Sequence, residues 1–219
     1  MRVAVIPAYN EERTVGDVVR RVREFIPHVV VVDDGSSDAT AERARAAGAY
    51  VVCHVVNRGL GGALGTGIRI ACDLGADFIV TLDADGQHDP VDAPALIAPI
   101  ERGDADVVIG VRERSVDIPV SRRVAHAVSN IYTRLLFGVY CSDTQSGFRA
   151  MSRSAAMRIE IRTNRMEVSS EIIGEIGRHK LRLVEVPIRT IYTDYSLSKG
   201  QSFTAGLKTA WSLLLRKLL

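Results

Sequence analysis

The sequence predicts an α/β fold, a mostly parallel sheet flanked by helices. Three observations carry this expectation. Short apolar runs alternate with amphipathic segments through the first half of the chain. The runs are continuous in hydrophobicity, as strands buried on both faces are. The polar and glycine-rich stretches follow these runs, which places them at the carboxyl ends of strands, where open α/β sheets bind ligands.

Strands are expected at residues 3–6, 29–32, 50–54, 78–82 and 107–111. Between the first two, Val15, Val18, Val19, Val22 and Ile26 share one helical face. Residues 40–47 are rich in Ala and Arg and read as a second helix. A third, residues 63–74, follows a glycine cluster, and a fourth, 94–100, follows Asp89-Pro90, a helix-start signal. The second half is more helical. Residues 122–136 place Val124, Val128, Ile131 and Leu135 on one face, opposite Arg122, His126, Ser129 and Thr133. A loop covers 143–149, a helix 168–179 and a strand 184–192. The last segment, 203–219, sets Phe203, Leu207, Trp211, Leu214 and Leu218 against Lys208, Ser212 and Arg216.

Composition narrows the function classes. The 219 residues suit one domain of ordinary size, and a hydrophobic content of 47% supplies a core. The net charge is +2, so the chain as a whole is no polyanion trap and no nucleic-acid partner is expected. Three scattered cysteines, Cys53, Cys72 and Cys141, show no CxxC spacing, which argues against structural zinc and for a reducing, cytoplasmic setting. No secretory leader is expected at Met1, and no run approaches the roughly 18 apolar residues of a membrane span.

Four loops could carry chemistry. Asp83-Ala84-Asp85 closes the fourth strand, and two carboxylates there can share a hard divalent cation with a diphosphate. Taken alone, such a pair is also a common turn or helix cap. Pro7-Ala8-Tyr9-Asn10-Glu11 follows the first strand; it offers an aromatic face to a nucleobase, or a helix start capped by Asn10. Asp33-Asp34-Gly35-Ser36-Ser37-Asp38 follows the second, with carboxylates for a base or ribose, or a glycine turn with Asp38 as cap. The cluster from Asn57 to Gly67, including Gly62, opens a helix. Its glycines allow close approach of a ligand, or close packing of helix on sheet.

Read in order, Pro-Ala-Tyr-Asn-Glu, Asp-Asp-Gly-Ser, Asn-Arg-Gly-Leu-Gly-Gly-Ala and Asp-Ala-Asp-Gly-Gln-His-Asp-Pro closely resemble the motifs of family 2 glycosyltransferases with the GT-A (Rossmann-like) fold. Asp143-Thr144-Gln145-Ser146-Gly147-Phe148-Arg149 and Glu185-Val186-Pro187-Ile188 resemble the branch that contains dolichyl-phosphate mannose synthase and related polyprenyl-phosphate glycosyltransferases. The resemblance spans nearly the whole chain. It implies Asp83, Asp85 and Gln87 as ligands of Mg²⁺ or Mn²⁺. It implies Pro7, Tyr9, Glu11, Asp34, Gly62, Asp83 and Arg112 as contacts to a GDP- or UDP-linked sugar. It implies an inverting single displacement onto a dolichyl or undecaprenyl phosphate, with Asp85, Asp143 and Arg149 as catalytic candidates.

On the acceptor side the resemblance implies Arg122, Arg123, Ser129 and Lys199 as phosphate contacts. Arg122 and Arg123 also read as a solvated helix face, and Arg149 as one half of an ion pair supporting its loop, with Asp143. Many members carry Arg-x-x-Gly-x-Ser-Lys near Lys199; here the stretch from Tyr192 to Lys199 lacks the arginine. A phosphate acceptor needs no strong base, whereas a hydroxyl acceptor does; Asp143 is the first carboxylate for that role and Glu171 the second. His88 is expected to support the metal turn rather than to bind metal. The whole chain, 1–219, is expected to form one catalytic domain. Segments 119–138 and 202–219 are its candidate membrane-interface helices, on the cytoplasmic membrane face or beside a separate anchor. Two other readings are a soluble family member acting on a glycan, protein or small-molecule hydroxyl, and a non-catalytic nucleotide-sugar binder. The intact Asp83, Asp85 and Gln87 speak against the latter.

Overall fold

A computed structural model describes residues 1–112, 139–164 and 167–191. Its centre is a seven-stranded sheet: β1 (Arg2–Ala8), β2 (His28–Asp33), β3 (Tyr50–Cys53), β4 (Phe78–Thr81), β5 (Val107–Arg112), β6 (Arg149–Ser152) and β7 (Leu183–Ile188). The spatial order is β3-β2-β1-β4-β6-β5-β7. β1 pairs in parallel with β2 and β4, β2 with β3, and β5 with β7; β6 alone runs antiparallel, between β4 and β5. The sheet is therefore mostly parallel and mixed.

The helices are α1 (Val15–Arg23), α2 (Thr40–Ala46), α3 (Leu60–Asp73), α4 (Ala93–Glu101), α5 (Arg153–Ala156) and α6 (Val168–Arg178). Strand residues alternate between two cores, as a two-residue period requires. Ala4, Ile6 and Ala8 of β1 join Val15, Val18, Val19 and Val22 of α1 and Leu96 and Ile97 of α4 on one face. Val3 and Val5 join Leu64 and Ile68 of α3 and Ile172, Ile173 and Ile176 of α6 on the other. Burial on both faces explains why β1 reads as an unbroken apolar run. The α1 stripe predicted from spacing, through Ile26, is buried throughout.

Two expectations required revision. The loop expected over 143–149 ends one residue short of that, and an unanticipated strand, β6, begins at the buried Arg149. The strand expected over 184–192 ends at Ile188, and the chain beyond it returns to the turn after β4: His88 bridges Thr190, and the Ile191 amide donates to the Gln87 carbonyl at 2.9 Å. The helix expected at 122–136, the interface segments 119–138 and 202–219, and Arg122, Arg123, Ser129 and Lys199 lie outside the described residues.

Candidate active site

The loops after β1 and β2 are stitched together in both directions. The Asn10 amide donates to Ser36 Oγ at 2.9 Å, and the Ser37 amide to Asn10 Oδ1 at 2.9 Å. The Glu11 amide donates to Thr40 Oγ1 at 2.8 Å, and the Ala39 amide to Glu12 Oε2 at 3.1 Å. Asn10 holds φ 53° and binds the second loop; it does not cap α1. Asp38 is not the N-cap of α2, which is Ala39; from one residue further out it accepts the Thr40 amide at 3.0 Å. The Thr40 hydroxyl also donates to Asp38, and with the backbone donors it holds that carboxyl below its usual range against the opposing effect of burial. Gly35, at φ 74°, makes the turn, and Asp33 accepts the Ser36 amide at 3.1 Å. The two adjacent Asp of this loop thus diverge: Asp33 serves the turn, while Asp34 faces a cleft.

That cleft, of about 230 Å³, is lined by Pro7, Ala8, Tyr9, Asp34, Asn57, Gly59, Leu60 and Ala63. Tyr9 is 48% exposed, which leaves its ring accessible at the rim. Of the nucleotide contacts implied by resemblance, Pro7, Tyr9 and Asp34 meet here. Glu11 and Gly62 do not line the cleft: the Glu11 carboxylate accepts from Thr14 Oγ1 at 3.0 Å, and the missing Cβ of Gly62 would stand 2.8 Å from Arg58 Cβ.

The glycine cluster serves packing first. A Cβ on Gly61 would stand 1.9 Å from the Thr163 carbonyl oxygen, and one on Gly67 2.3 Å from Val5 Cγ1. The Gly61 amide donates to the Asn164 carbonyl at 3.0 Å. Glu171, the second base candidate, is engaged beneath this contact. It accepts the Arg162 amide at 3.0 Å, the Thr163 amide at 2.9 Å and the Thr163 hydroxyl at 2.6 Å, and so holds the loop that seats α3.

Across the sheet, Asp83 and Asp85 follow β4. Gly147 makes the room for Asp83: a Cβ there would lie 2.5 Å from both carboxylate oxygens. Thr81 Oγ1 donates to the Gly147 carbonyl at 2.9 Å and fixes that approach. His88 is buried; its Nε2 lies 3.2 Å from Asp83 Oδ2, and its ring meets Phe148 at 5.3 Å between centroids. Burial would push the Asp83 carboxyl up, but the His88 hydrogen bond and the charges of His88, Arg149 and Arg112 together hold it below the usual range. Burial and the Asp83 charge push Asp85 up instead. Such a split marks two carboxylates crowded at one place, which a shared cation would relieve. Among the described residues no group of three or more His, Cys, Asp and Glu side chains surrounds a metal position; a pair of carboxylates is a donor set that hard divalent cations take when phosphate oxygens complete it. The Gln87 amide donates to Asp85 Oδ1 at 2.9 Å and keeps the turn closed.

Arg112, at the end of β5, grips Asp143 with two bonds, Nε to Oδ2 at 2.7 Å and Nη2 to Oδ1 at 2.8 Å. The ion pair anticipated for Asp143 therefore forms with Arg112, not with Arg149. Arg149 is 1% exposed and donates to the Thr144 carbonyl at 3.3 Å. Burial pushes its pKa down, and the charges of Asp83 and Asp143 oppose that. Among the described residues its Nε, Ser146 Oγ, His88 Nδ1 and Thr190 Oγ1 are buried without a hydrogen-bond partner, although buried polar groups are usually paired. Two of these side chains, His88 and Arg149, act on Asp83. Burial pushes the Cys141 thiol up to about 12, which makes it inert at neutral pH.

The cluster from Asn57 to Gly67 reads in sequence as a place of ligand approach, but with Gly62 rather than Asn57, Gly59, Leu60 and Ala63 as its contact; Gly147 as the cradle of Asp83 and Arg112 as the partner of Asp143 were missed. Gly59, at φ 85° just before α3, had a readable signal in its place at the helix start; the contacts between distant loops had none.

Comparison with known proteins agrees with this geometry. Residues 3–160 match the profile of "Glycosyl transferase family 2". A UDP-N-acetylglucosamine–dolichyl-phosphate N-acetylglucosaminyltransferase of Methanococcus voltae is 36% identical over 98% of this chain and 95% of that protein. An undecaprenyl-phosphate mannosyltransferase of Micrococcus luteus is 32% identical over 99% and 96%. Among solved structures, glucosyl-3-phosphoglycerate synthase of Mycobacterium tuberculosis, in complex with Mn²⁺, UDP-glucose and phosphoglyceric acid, superposes with a TM-score of 0.74 at 20% identity, covering 99% of this chain and 79% of that one. The fold, the strand-end loops and the matched profile converge: the chain belongs to glycosyl transferase family 2 and is a glycosyltransferase of the GT-A fold.

Proposed function

We propose that this protein moves a hexose, of the mannose or glucose type, from a nucleotide-diphosphate sugar to a polyprenyl phosphate of the dolichyl or undecaprenyl kind. The observation that carries the reading is the Asp83–Asp85 pair at the end of β4, the strand next to β1, whose own end opens the cleft of Pro7, Tyr9 and Asp34. The lipid acceptor is supported by the two relatives matched end to end, which are named for dolichyl and undecaprenyl phosphate.

In this reading Pro7, Tyr9 and Asp34 hold the nucleotide, and Asp83, Asp85 and Gln87 hold Mg²⁺ or Mn²⁺. A bound cation there offsets the charge on the departing nucleoside diphosphate. The acceptor phosphate attacks the anomeric carbon from the face opposite the diphosphate and inverts it. Being anionic already, it needs no proton removed. Asp143 suits this acceptor because both its oxygens are engaged by Arg112, so its work is to hold that guanidinium toward the donor side. Arg149 acts through the Asp83 charge from within the protein. Arg122, Arg123, Ser129 and Lys199 take the acceptor phosphate. Residues 1–219 act as one catalytic domain whose segments 119–138 and 202–219 meet the membrane surface.

The test is nucleotide release from GDP- and UDP-linked mannose, glucose and N-acetylglucosamine, with and without polyprenyl phosphate. Release is expected to require the lipid phosphate, to stop with EDTA and to return with excess Mg²⁺ or Mn²⁺. Turnover onto a soluble hydroxyl acceptor, with none onto the lipid, would replace this reading by that of a soluble family member.

No described helix is long and apolar enough to cross a membrane. Membrane contact is therefore tested by flotation with anionic liposomes. The full chain is expected to float and a chain lacking residues 203–219 to float less; equal behaviour of the two would count against an interfacial role for that segment.

A further inference from the structure

His54 lies just beyond β3, outside every residue given a role above. Its side chain is 8% exposed and that of Asp34 4%. Nδ1 lies 2.6 Å from Asp34 Oδ1, and Nε2 lies 3.0 Å from Thr66 Oγ1 on α3. The carboxylate can only accept, so Nδ1 carries a proton; in the neutral ring Nε2 then accepts from the Thr66 hydroxyl.

Asp34 also accepts the Arg58 amide on Oδ1 at 2.9 Å and the Gly59 amide on Oδ2 at 2.6 Å. A carboxylate has about four lone-pair sites. Among the described residues three are filled, two on Oδ1 and one on Oδ2, which leaves the remaining site on Oδ2 of a side chain that lines the cleft.

The two amide donors belong to the loop that itself rims the cleft. His54 is the one side-chain donor to Asp34 among the described residues. It is tied to the scaffold at both ends: its amide donates to the Asp33 carbonyl at 2.8 Å, and its ring is held by Thr66. We propose that His54 is a positioning residue for nucleotide binding: it fixes the Asp34 carboxylate so that the open Oδ2 site faces the cleft, and Thr66 locks its ring. This rests on the reading of the cleft as the nucleotide site.

The full chain is titrated calorimetrically with UDP and, separately, with GDP in the presence of Mg²⁺, and melting temperatures are recorded alongside. The variants are Asp34→Asn, His54→Asn, His54→Gln and Thr66→Val. The amide of His54→Asn stands where Nδ1–H stands and keeps the donor to Asp34. The longer His54→Gln reaches the Nε2 position and leaves Asp34 without that donor. His54→Gln is expected to weaken the nucleotide that the native chain binds by about tenfold, the cost of one charge-assisted hydrogen bond. His54→Asn is expected to stay within about threefold and Thr66→Val to fall between, without melting temperatures following the same order.

Native affinity in His54→Gln, or equal losses in the Asn and Gln variants that track melting temperature, would overturn the inference. Should His54→Gln not fold, Thr66→Val decides, and unchanged affinity there overturns it. Loss in Asp34→Asn without loss in His54→Gln removes the role of His54 alone. If the native chain binds neither nucleotide, or Asp34→Asn binds as tightly as native, the nucleotide reading of the cleft falls, and the role of His54 with it.

Discussion

Replacing Asp85 by asparagine is expected to lower turnover about 10²–10³-fold, the rate equivalent of several kcal/mol of lost charge stabilisation. In the presence of a chelator the same change is expected to raise the melting temperature at neutral pH. The sign follows from the raised Asp85 carboxyl, held up by burial and by the Asp83 charge. For an acid whose folded value is raised, ionisation opposes folding: stability is full below its unfolded value and declines as the pH climbs through the folded one. At neutral pH the chelated protein carries that cost, and asparagine removes it. Turnover is read by nucleotide release and stability by thermal denaturation with EDTA. Retained turnover would sink the metal assignment. A fall in melting temperature with EDTA would show that the crowding of the two carboxylates is not what sets the Asp85 environment.

Gly61→Ala is expected to destabilise the fold by about 3 kcal/mol, lowering the melting temperature by about 6–12 °C. The new methyl would stand 1.9 Å from the Thr163 carbonyl oxygen and 2.9 Å from its carbon. Backbone cannot yield as a flexible side chain does, so α3 and the 160–164 loop must separate. The bond from the Gly61 amide to Asn164 goes with them, worth about 1 kcal/mol. Because Leu60 and Ala63 of α3 line the cleft, nucleotide affinity should fall together with stability. A melting temperature within 2 °C of native, on the order of 0.5–1 kcal/mol for a chain of this size, would show that the contact relaxes freely. Gly65→Ala is the control, since its missing Cβ would meet only Ile161 side-chain atoms at 3.8 and 3.9 Å.

The two cases mark what was legible in the sequence. The Asp-Ala-Asp turn could be read because a strand and its polar end are local. The same holds for β1, β2, β4 and β5 and for α1 to α4, where buried apolar runs and one-sided stripes announce themselves; β3, an apolar run too, is a half-exposed edge strand. β6 did not, because its first residue is an arginine, and only its pairing between β4 and β5 makes a charged residue a buried strand residue. Gly61 could be read as packing or as ligand approach. The choice depends on a carbonyl 102 residues further along, at Thr163. Likewise Arg112 and Asp143 stand 31 residues apart in sequence, and nothing local pairs them. Local pattern locates the strand-end loops; long-range contact decides which atoms in them are already engaged.

The stitched loops after β1 and β2 have a consequence for binding thermodynamics. Asn10, Glu11 and Glu12 bond to Ser36, Ser37, Asp38, Ala39 and Thr40 through side chain–backbone pairs running in both directions. The rim on which Tyr9 and Asp34 stand is thus ordered when the chain folds, before any nucleotide arrives. Ordering a loop at the moment of binding subtracts from affinity, and here that entropy loss has already been met within the cooperative stability of the sheet. Affinity on this side of the protein can then follow contact chemistry closely, with little drawn off to arrange the receptor.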